Sequence, residues 1–254
     1  METLAYRTEG RIGFLTLNRP EQYNAVDRTM MLELEAFWRE RQWDDSVGVI
    51  VLDGGRAKGF CAGLDMKTFG PEIFALDTTA MYDGQRRLSR LLLAMRRVPQ
   101  PIVCAVHGSA AGLGFSLAMA SDLRIVAEDA RFSAAYINIG LGGADMASSY
   151  FLPRLIGAGR AYEFLLTGNW MSAADAGALG FASRVVPRER LLPAAIELAQ
   201  TISAKNPLGV RMTKEALNVS LDAGGLEACL ELEDRNQTLL MVAKKAEGGT
   251  PSRQ

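Results

Sequence analysis

Three observations predict an α/β domain followed by an all-helical region. Short β-branched runs at 47–52, 102–106, 123–127 and 181–186 alternate with segments whose apolar residues recur at helical spacing. Glycine-rich turns, 54–59, 107–114 and 140–143, stand between them. After Pro187 the strand-like runs stop, and only helical periodicity remains.

Residues 4–9 and 11–17 alternate around Gly10, which predicts a hairpin ending at the Asn18-Arg19-Pro20 turn. Asp27 is placed to cap a helix whose buried face is Met30, Met31, Leu34, Phe37 and Trp38. The run 47–52 is too short and too β-branched for a helix, so it reads as a strand. Met81, Leu88, Leu91, Leu92 and Met95 give the next helix, which Pro99 and Pro101 close before a buried strand over 102–106. A small-residue helix over 112–120, a strand over 123–127, helices over 148–156 and 159–167 and a strand over 181–186 complete a domain spanning 1–187. In the second region, 188–254, Leu191, Ile196, Leu198, Ile202, Met212, Leu217, Leu226, Leu230, Leu239 and Leu240 keep helical spacing. Apolar residues on more than one face of its last helices point to another subunit as their cover, and 248–254 is expected to be a loose tail.

Composition narrows the function. At 254 residues and 48% hydrophobic content the chain can fill a large core. Its 28 Lys and Arg balance 29 Asp and Glu for a net charge of -1, with no block of like charge, which argues against nucleic acid and anionic membranes as partners. Cys61, Cys104 and Cys229 form no CxxC pair, and the single His107 cannot complete a metal cluster, so a reduced, cytoplasmic protein without a metal is expected. The first residues lack an apolar leader segment. The stretch 101–121 carries His107, Ser109, Ser116 and three glycines, Gly108, Gly112 and Gly114, and reads as strand, turn and helix rather than a membrane span.

Gly114-Phe115-Ser116-Leu117-Ala118 approximates a nucleophile elbow, but that chemistry needs a His after the Ser, and His107 precedes it. Gly112-Leu113-Gly114 and Gly140-Leu141-Gly142-Gly143 do not complete a dinucleotide fingerprint, so nicotinamide and flavin cofactors are not expected. The segments 58–65 and 107–114 each bring backbone N–H groups to the end of a strand, and the second opens into a helix. Two such donors can stabilise an oxygen acquiring negative charge; the same residues would also serve as plain tight turns.

The motifs Leu17-Asn18-Arg19-Pro20-Glu21 with Asn24-Ala25, Gly59-Phe60-Cys61-Ala62-Gly63-Leu64-Asp65, Pro101-Ile102-Val103-Cys104-Ala105-Val106-His107-Gly108, the segment 111–122, and Leu166-Thr167-Gly168 with 173–180 cover nearly the whole chain. Together they resemble the crotonase, or enoyl-CoA hydratase/isomerase, superfamily. The resemblance implies a spiral of ββα units, a C-terminal helical region that builds homotrimers commonly paired into hexamers, and coenzyme A as part of a thioester substrate rather than a resident cofactor. It also implies that the backbone N–H groups of Leu64 and Leu113 hold the thioester oxygen, with Leu113 standing where the family usually has Gly.

By the same resemblance, the two glutamates of family hydratases are replaced by Ser116 and Tyr136. Neither is a carboxylate base near neutral pH, so ordinary hydration is expected to be crippled even where a name carried by similarity reads enoyl-CoA hydratase. Asp145 is the substitute, because relatives that include dehalogenases and C–C bond hydrolases place a working Asp in a similar glycine-rich segment; its position equally suits a helix N-cap. Ser89 stands where the dehalogenase-like members have a helping His. Backbone around Ala62 is expected to meet the adenine, and Lys58, Lys67, Arg19 and Lys214 are candidate partners for the CoA phosphates. Met66, Phe69, Met81 and Tyr82 are expected around the acyl group, His107 is read as structural and Asp65 as a cap. The alternative to an enzyme is a CoA-ester binder that has lost turnover.

Overall fold

Gly10, at φ +55°, turns β1 (Leu4–Glu9) back onto β2 (Ile12–Leu17) as the predicted antiparallel hairpin. A computed structural model describes residues 1–246. Asp27 caps α1 (Arg28–Arg41) by accepting from the Met30 N–H at 2.8 Å, and the five apolar residues expected on its inner face are all buried. β3 (Val49–Asp53), β4 (Ile102–Val106), β6 (Leu123–Ala127) and β9 (Arg184–Val186) then add in parallel to β2, giving a six-stranded sheet in the order β1-β2-β3-β4-β6-β9.

A second sheet of three short strands, β5 (Ser109–Ala111), β7 (Arg131–Ser133) and β8 (Met171–Ser172), crosses over the first connections. Each turn of the chain lays one strand in the large sheet, one in the small sheet and then a helix: β4, β5 and α4 (Leu113–Ala120), then β6, β7 and the pair α5 (Ser148–Ile156) and α6 (Ala158–Thr167). This is the spiral that the resemblance implies. The remaining helices of the spiral are α2 (Gly70–Phe74), α3 (Thr78–Arg97) and α7 (Ala173–Ala178).

The four central strands of the large sheet, β2, β3, β4 and β6, are buried on both faces, which is why they read as nearly unbroken apolar runs. Ile50, Leu52, Ile102, Cys104 and Val106 face the main core with α1, α3 and α4. Val49, Val51, Val103 and Ala105 face the other way, onto Leu191, Ala194, Ala195 and Ala199 of α8 (Leu191–Ser203). The expected strand over 181–186 begins only at Arg184. Phe181 is buried by its side chain, its ring tilted against Phe115 at 5.5 Å and edge-on to Phe132 at 4.9 Å between centroids, not by ladder bonds.

Arg124 is buried and forms no ion pair among the described residues; its guanidinium donates to the carbonyls of Ala118 and Ser121 at the end of α4, and to that of Phe181. α9 (Pro207–Ser220) is pinned by Lys214, whose buried Nζ donates to Asp122 and to the Gln100 carbonyl, both at 2.8 Å. α10 (Leu226–Ala246) buries no residue and leaves Leu226, Leu230, Leu239, Met241 and Val242 exposed. The tail expected over 248–254 lies outside the described residues. Among the described residues no helix is long and apolar enough to cross a membrane, and no cluster of His, Cys, Asp or Glu is arranged to hold a metal ion.

Without Lys214, Asp122 keeps Arg96 at 2.9 Å and the Ile102 amide at 2.8 Å, so what is lost is the pair of charged hydrogen bonds to Asp122 and the Gln100 carbonyl. Lys214→Met is therefore expected to cost about 2 kcal/mol of stability, measured by urea unfolding. A loss under half a kcal/mol would mean that α9 is held by its apolar contacts instead.

Candidate active site

The chain leaves β3 through a turn that returns as Cys61-Ala62-Gly63-Leu64-Asp65, and three interactions hold this turn. Cys61 pairs with Ala110 of β5, Leu64 pairs with Val26, and Arg19 bridges underneath. The Arg19 guanidinium donates twice to Asp65 at 3.1 Å, lies 3.2 Å from Asp27, and reaches the Ala25 carbonyl. Asp65 also accepts from the amides of Lys67 and Thr68, but it closes the turn before α2 rather than capping that helix, whose N-cap is Phe69. Burial works to raise the Asp65 pKa, but hydrogen bonds from Thr68, Arg19 and Lys67 outweigh it and hold the carboxyl below its ordinary value. Asn24, fully buried, donates to the carbonyls of Gly54 and Phe60 and accepts from the Arg19 amide, which ties the first motif to the same turn.

The second turn, His107 to Leu113, abuts the first. Gly112 takes φ +52° and Gly63 φ +94°, and a Cβ on Gly63 would stand 2.8 Å from the Ala111 carbonyl oxygen and 3.4 Å from the Leu113 nitrogen. A Cβ on Gly114 would stand 2.3 Å from the Cys61 carbonyl oxygen. Glycine at these places lets the two backbones touch. Among the described residues neither the Leu64 nor the Leu113 amide donates to a backbone acceptor, and Leu113 is the first residue of α4. Two unspent N–H groups on abutting turns, one at the positive end of a helix, can converge on a single oxygen. The Leu113 side chain is buried in the main core.

Ser116 and Tyr136 meet behind these turns, their hydroxyls 2.7 Å apart and buried. Burial pushes the Tyr136 phenol well above its ordinary range, so it stays protonated. Burial likewise pushes the nearby Cys61 thiol up to about 12, which removes a thiolate nucleophile from the chemistry.

Asp145 approaches from the loop before α5 and acts on Tyr136 through its charge. It is not the cap of α5. That place is taken by Ala147, and the Asp145 carboxylate accepts instead from the Met146 amide at 2.7 Å and from Gln85 Nε2 of α3 at 2.6 Å, both on Oδ1. Met146 and Ala147 hold φ +47° and +61°, a left-handed pair of non-glycine residues of the kind that persists where surrounding structure enforces it. Gly143 seats the loop, since a Cβ there would fall 1.9 Å from the Leu165 carbonyl oxygen of α6. Burial raises the Asp145 pKa, and the bonds from Met146 and Gln85 only partly offset it. Gln85 went unread in the sequence, although it lies four residues from both Met81 and Ser89 on one helical face.

Two expected phosphate partners are placed elsewhere. Arg19 is committed to Asp65, Asp27 and Ala25, and Lys214 is buried on Asp122, so neither cation is free for a CoA phosphate. Lys58 and Lys67 are exposed at the two ends of the first turn, and Ala62 is exposed between them with its N–H on the Tyr23 carbonyl. Met66 and Tyr82 are exposed, Met81 is half-buried, and Phe69 is buried in the main core. His107 is buried, its Nε2 2.9 Å from the Ala57 carbonyl, as expected of a structural residue.

The enoyl-CoA hydratase/isomerase profile matches residues 7–252. The chain belongs to the enoyl-CoA hydratase/isomerase family. This family member is 39% identical over 234 residues to the Mycobacterium tuberculosis H37Rv protein named probable enoyl-CoA hydratase EchA12, covering 91% of this chain and 82% of that one. It is 32% identical to the Escherichia coli K12 protein named 1,2-epoxyphenylacetyl-CoA isomerase, over 94% and 90% of the two chains. Among solved structures it superimposes on enoyl-CoA hydratase from Mycobacterium smegmatis with a TM-score of 0.87 at 30% identity, covering 98% of each chain. It also matches a monofunctional enoyl-CoA isomerase from M. smegmatis with a TM-score of 0.76 at 35% identity, over 91% and 99%. The crotonase fold and an enzyme of this family are thereby shown for the chain.

The abutment gives a direct test of this crotonase's site. Gly114→Ala must push the two turns apart, and is expected to cost about 2 kcal/mol of stability together with most of any thioester turnover. Thermal unfolding and steady-state kinetics would check it; an unchanged variant would show that the turns have slack.

Proposed function

We propose that this crotonase-family chain moves a proton between two carbons of an acyl-CoA thioester, as an isomerase with Asp145 as its single acid and base. The observation that carries the reading is the Asp145 carboxylate: it is half-buried, accepts on Oδ1 alone among the described residues, and its charge acts on the neutral Tyr136, one of the two residues that stand where family hydratases would carry glutamates. Hydration needs groups that both activate a water and protonate carbon, and two carboxylates divide that work. A double-bond shift needs one. Asp145 removes a proton from a carbon acidified by the thioester, and the carbonyl becomes an enolate whose oxygen the Leu64 and Leu113 N–H groups stabilise. The protonated Asp145 then returns that proton to a different carbon as the double bond moves. Nothing is consumed, and Tyr136, staying protonated, serves as a hydrogen-bond donor. Burial favours this cycle because it weakens the carboxylate's hold on its ionised form and so makes it a stronger base.

Coenzyme A enters as part of the substrate, with the backbone at Ala62 and the cations Lys58 and Lys67 as its contacts. The apolar residues that α10 leaves exposed support a homotrimer, alone or paired into a hexamer, in which a neighbouring copy covers them. The competing reading, a CoA-ester binder without turnover, is favoured by the Ser116 and Tyr136 hydroxyls, which satisfy each other.

The test is to supply a 3-enoyl-CoA and crotonyl-CoA to the purified protein and follow the enoyl-thioester absorbance, which rises on isomerisation and falls on hydration. Isomerisation should exceed hydration and drop by roughly a thousandfold in Asp145→Asn, a loss typical of a general base. Hydration that outruns isomerisation, or isomerisation that survives Asp145→Asn, would overturn the reading; tight CoA-ester binding with no turnover would leave the binder.

The direction of the Asp145 shift also fixes a pH dependence. The base must be ionised, so kcat/KM should fall on the acid side, with a midpoint above that of an ordinary Asp. A raised folded-state pKa means stability that is present below the unfolded pKa and lost as pH rises through the folded one. At neutral pH the native protein therefore bears that cost and Asp145→Asn does not. The variant should melt at a higher temperature near pH 7, with the difference closing at acid pH, as scanning calorimetry across pH would show.

A further inference from the structure

We propose that Gln85 is the positioning residue for Asp145, holding Oδ1 so that Oδ2 is the oxygen that exchanges the proton; this rests on the isomerase reading. Gln85 comes from α3, while Asp145 belongs to a loop sixty residues later, and the two meet at 2.6 Å. The Met146 amide binds the same oxygen at 2.7 Å. Both donors to the carboxylate are thus on Oδ1, and Oδ2 has no protein partner among the described residues. A carboxylate with one oxygen doubly bonded and the other free has its reactive lone pairs aimed by its supports.

The chemistry of a primary amide fits this place better than that of a cation. A Lys or Arg would hold Asp145 ionised and weaken it as a base. An amide donates through Nε2 to Oδ1 in both states of the carboxyl, because Oδ1 keeps its lone pairs whether Oδ2 is ionised or carries the proton. Gln85 can therefore stay bonded to Asp145 through both halves of the proton cycle.

The surroundings leave this task to Gln85. Tyr136, whose phenol the Asp145 charge helps to keep protonated, is neutral, and the Ser148 hydroxyl accepts from the Asp145 amide. Asp145 forms no ion pair among the described residues. Of the nearby α3 cations, Arg86 faces Asp83, Arg87 binds Glu35 and Arg90 is exposed. Met146 is lodged against the same helix, its sulfur 3.9 Å from Gln85 Nε2 and 3.8 Å from the Ser89 hydroxyl, so the left-handed turn that carries Asp145 is docked where Gln85 can reach it.

The experiment titrates the Asp145 side-chain carboxyl by carbon NMR in the full chain, assigned by its absence in Asp145→Asn, in wild type, Gln85→Met and Gln85→Glu. Gln85 is exposed, so both variants should fold, and unchanged circular dichroism would verify this. Gln85→Met removes the donor at nearly constant volume, and the carboxyl should titrate at higher pH. Gln85→Glu puts a like charge against it, and the titration should move higher still. In turnover, the acid limb of the kcat/KM profile should move in the same direction, with kcat at its plateau lower by roughly ten- to a hundredfold and KM little changed. If Asp145→Asn is dead while Gln85→Met titrates and turns over as wild type does, the assignment of Gln85 falls and the isomerase reading stands. If Asp145→Asn keeps its isomerase activity, that reading falls and takes the role of Gln85 with it.

Discussion

Two backbones in this protein touch where no Cβ would let them, and most of the architecture serves that contact. The Cys61–Asp65 turn and the start of α4 come from different coils of the spiral, so their approach is a tertiary event that no local preference secures. Gly63, Gly112 and Gly114 remove the obstacle, and the paired strands bring the turns to the same end of the sheet. Arg19 and Asn24 then hold the first turn from beneath, through a carboxylate pair and three backbone contacts. A motif that reads from sequence as a ligand contact is thus scaffold. Its charge and amide are used up in fixing where two N–H groups point.

The Asp145 side of the site is built differently. Asp145 stands on a loop held by a close glycine contact to α6 and by a pair of left-handed residues, with Gln85 of α3 reaching across to it. Left-handed Met146 and Ala147 cost free energy relative to ordinary backbone. That cost is met by seating Met146 in the core against α3.

Much of the spiral was legible in the sequence because the central strands of its large sheet are short, rich in β-branched residues and buried on both faces, and because α1 shows a clean apolar stripe that begins after its cap, Asp27. The small sheet was not legible. β5 is three small residues, Ser109, Ala110 and Ala111, with no alternation to read, and its partners lie more than twenty residues away. Phe181 read as the start of a strand because a buried aromatic looks the same whether ladder or packing buries it. In the site, the motifs located the turns, Ser116, Tyr136 and Asp145. They misplaced Arg19 and Lys214, because sequence shows a cation but not the carboxylate that claims it. Gln85 escaped notice because its partner is sixty positions away and a surface amide carries no motif.

Arg124 gives α4 an electrical asymmetry. The helix is eight residues long, with the Leu113 amide at one end and the carbonyls of Ala118 and Ser121 at the other, and the buried guanidinium sits on the second end. A peptide dipole carries roughly half a unit charge at each pole, and the far pole here is neutralised by a cation that the low-dielectric core does not screen. The near pole is then felt almost as a lone positive charge, whose potential decays with distance more slowly than that of a dipole. A helix of only two turns thereby projects the field of a much longer one past the Leu113 amide, and does so through a buried residue at its opposite end.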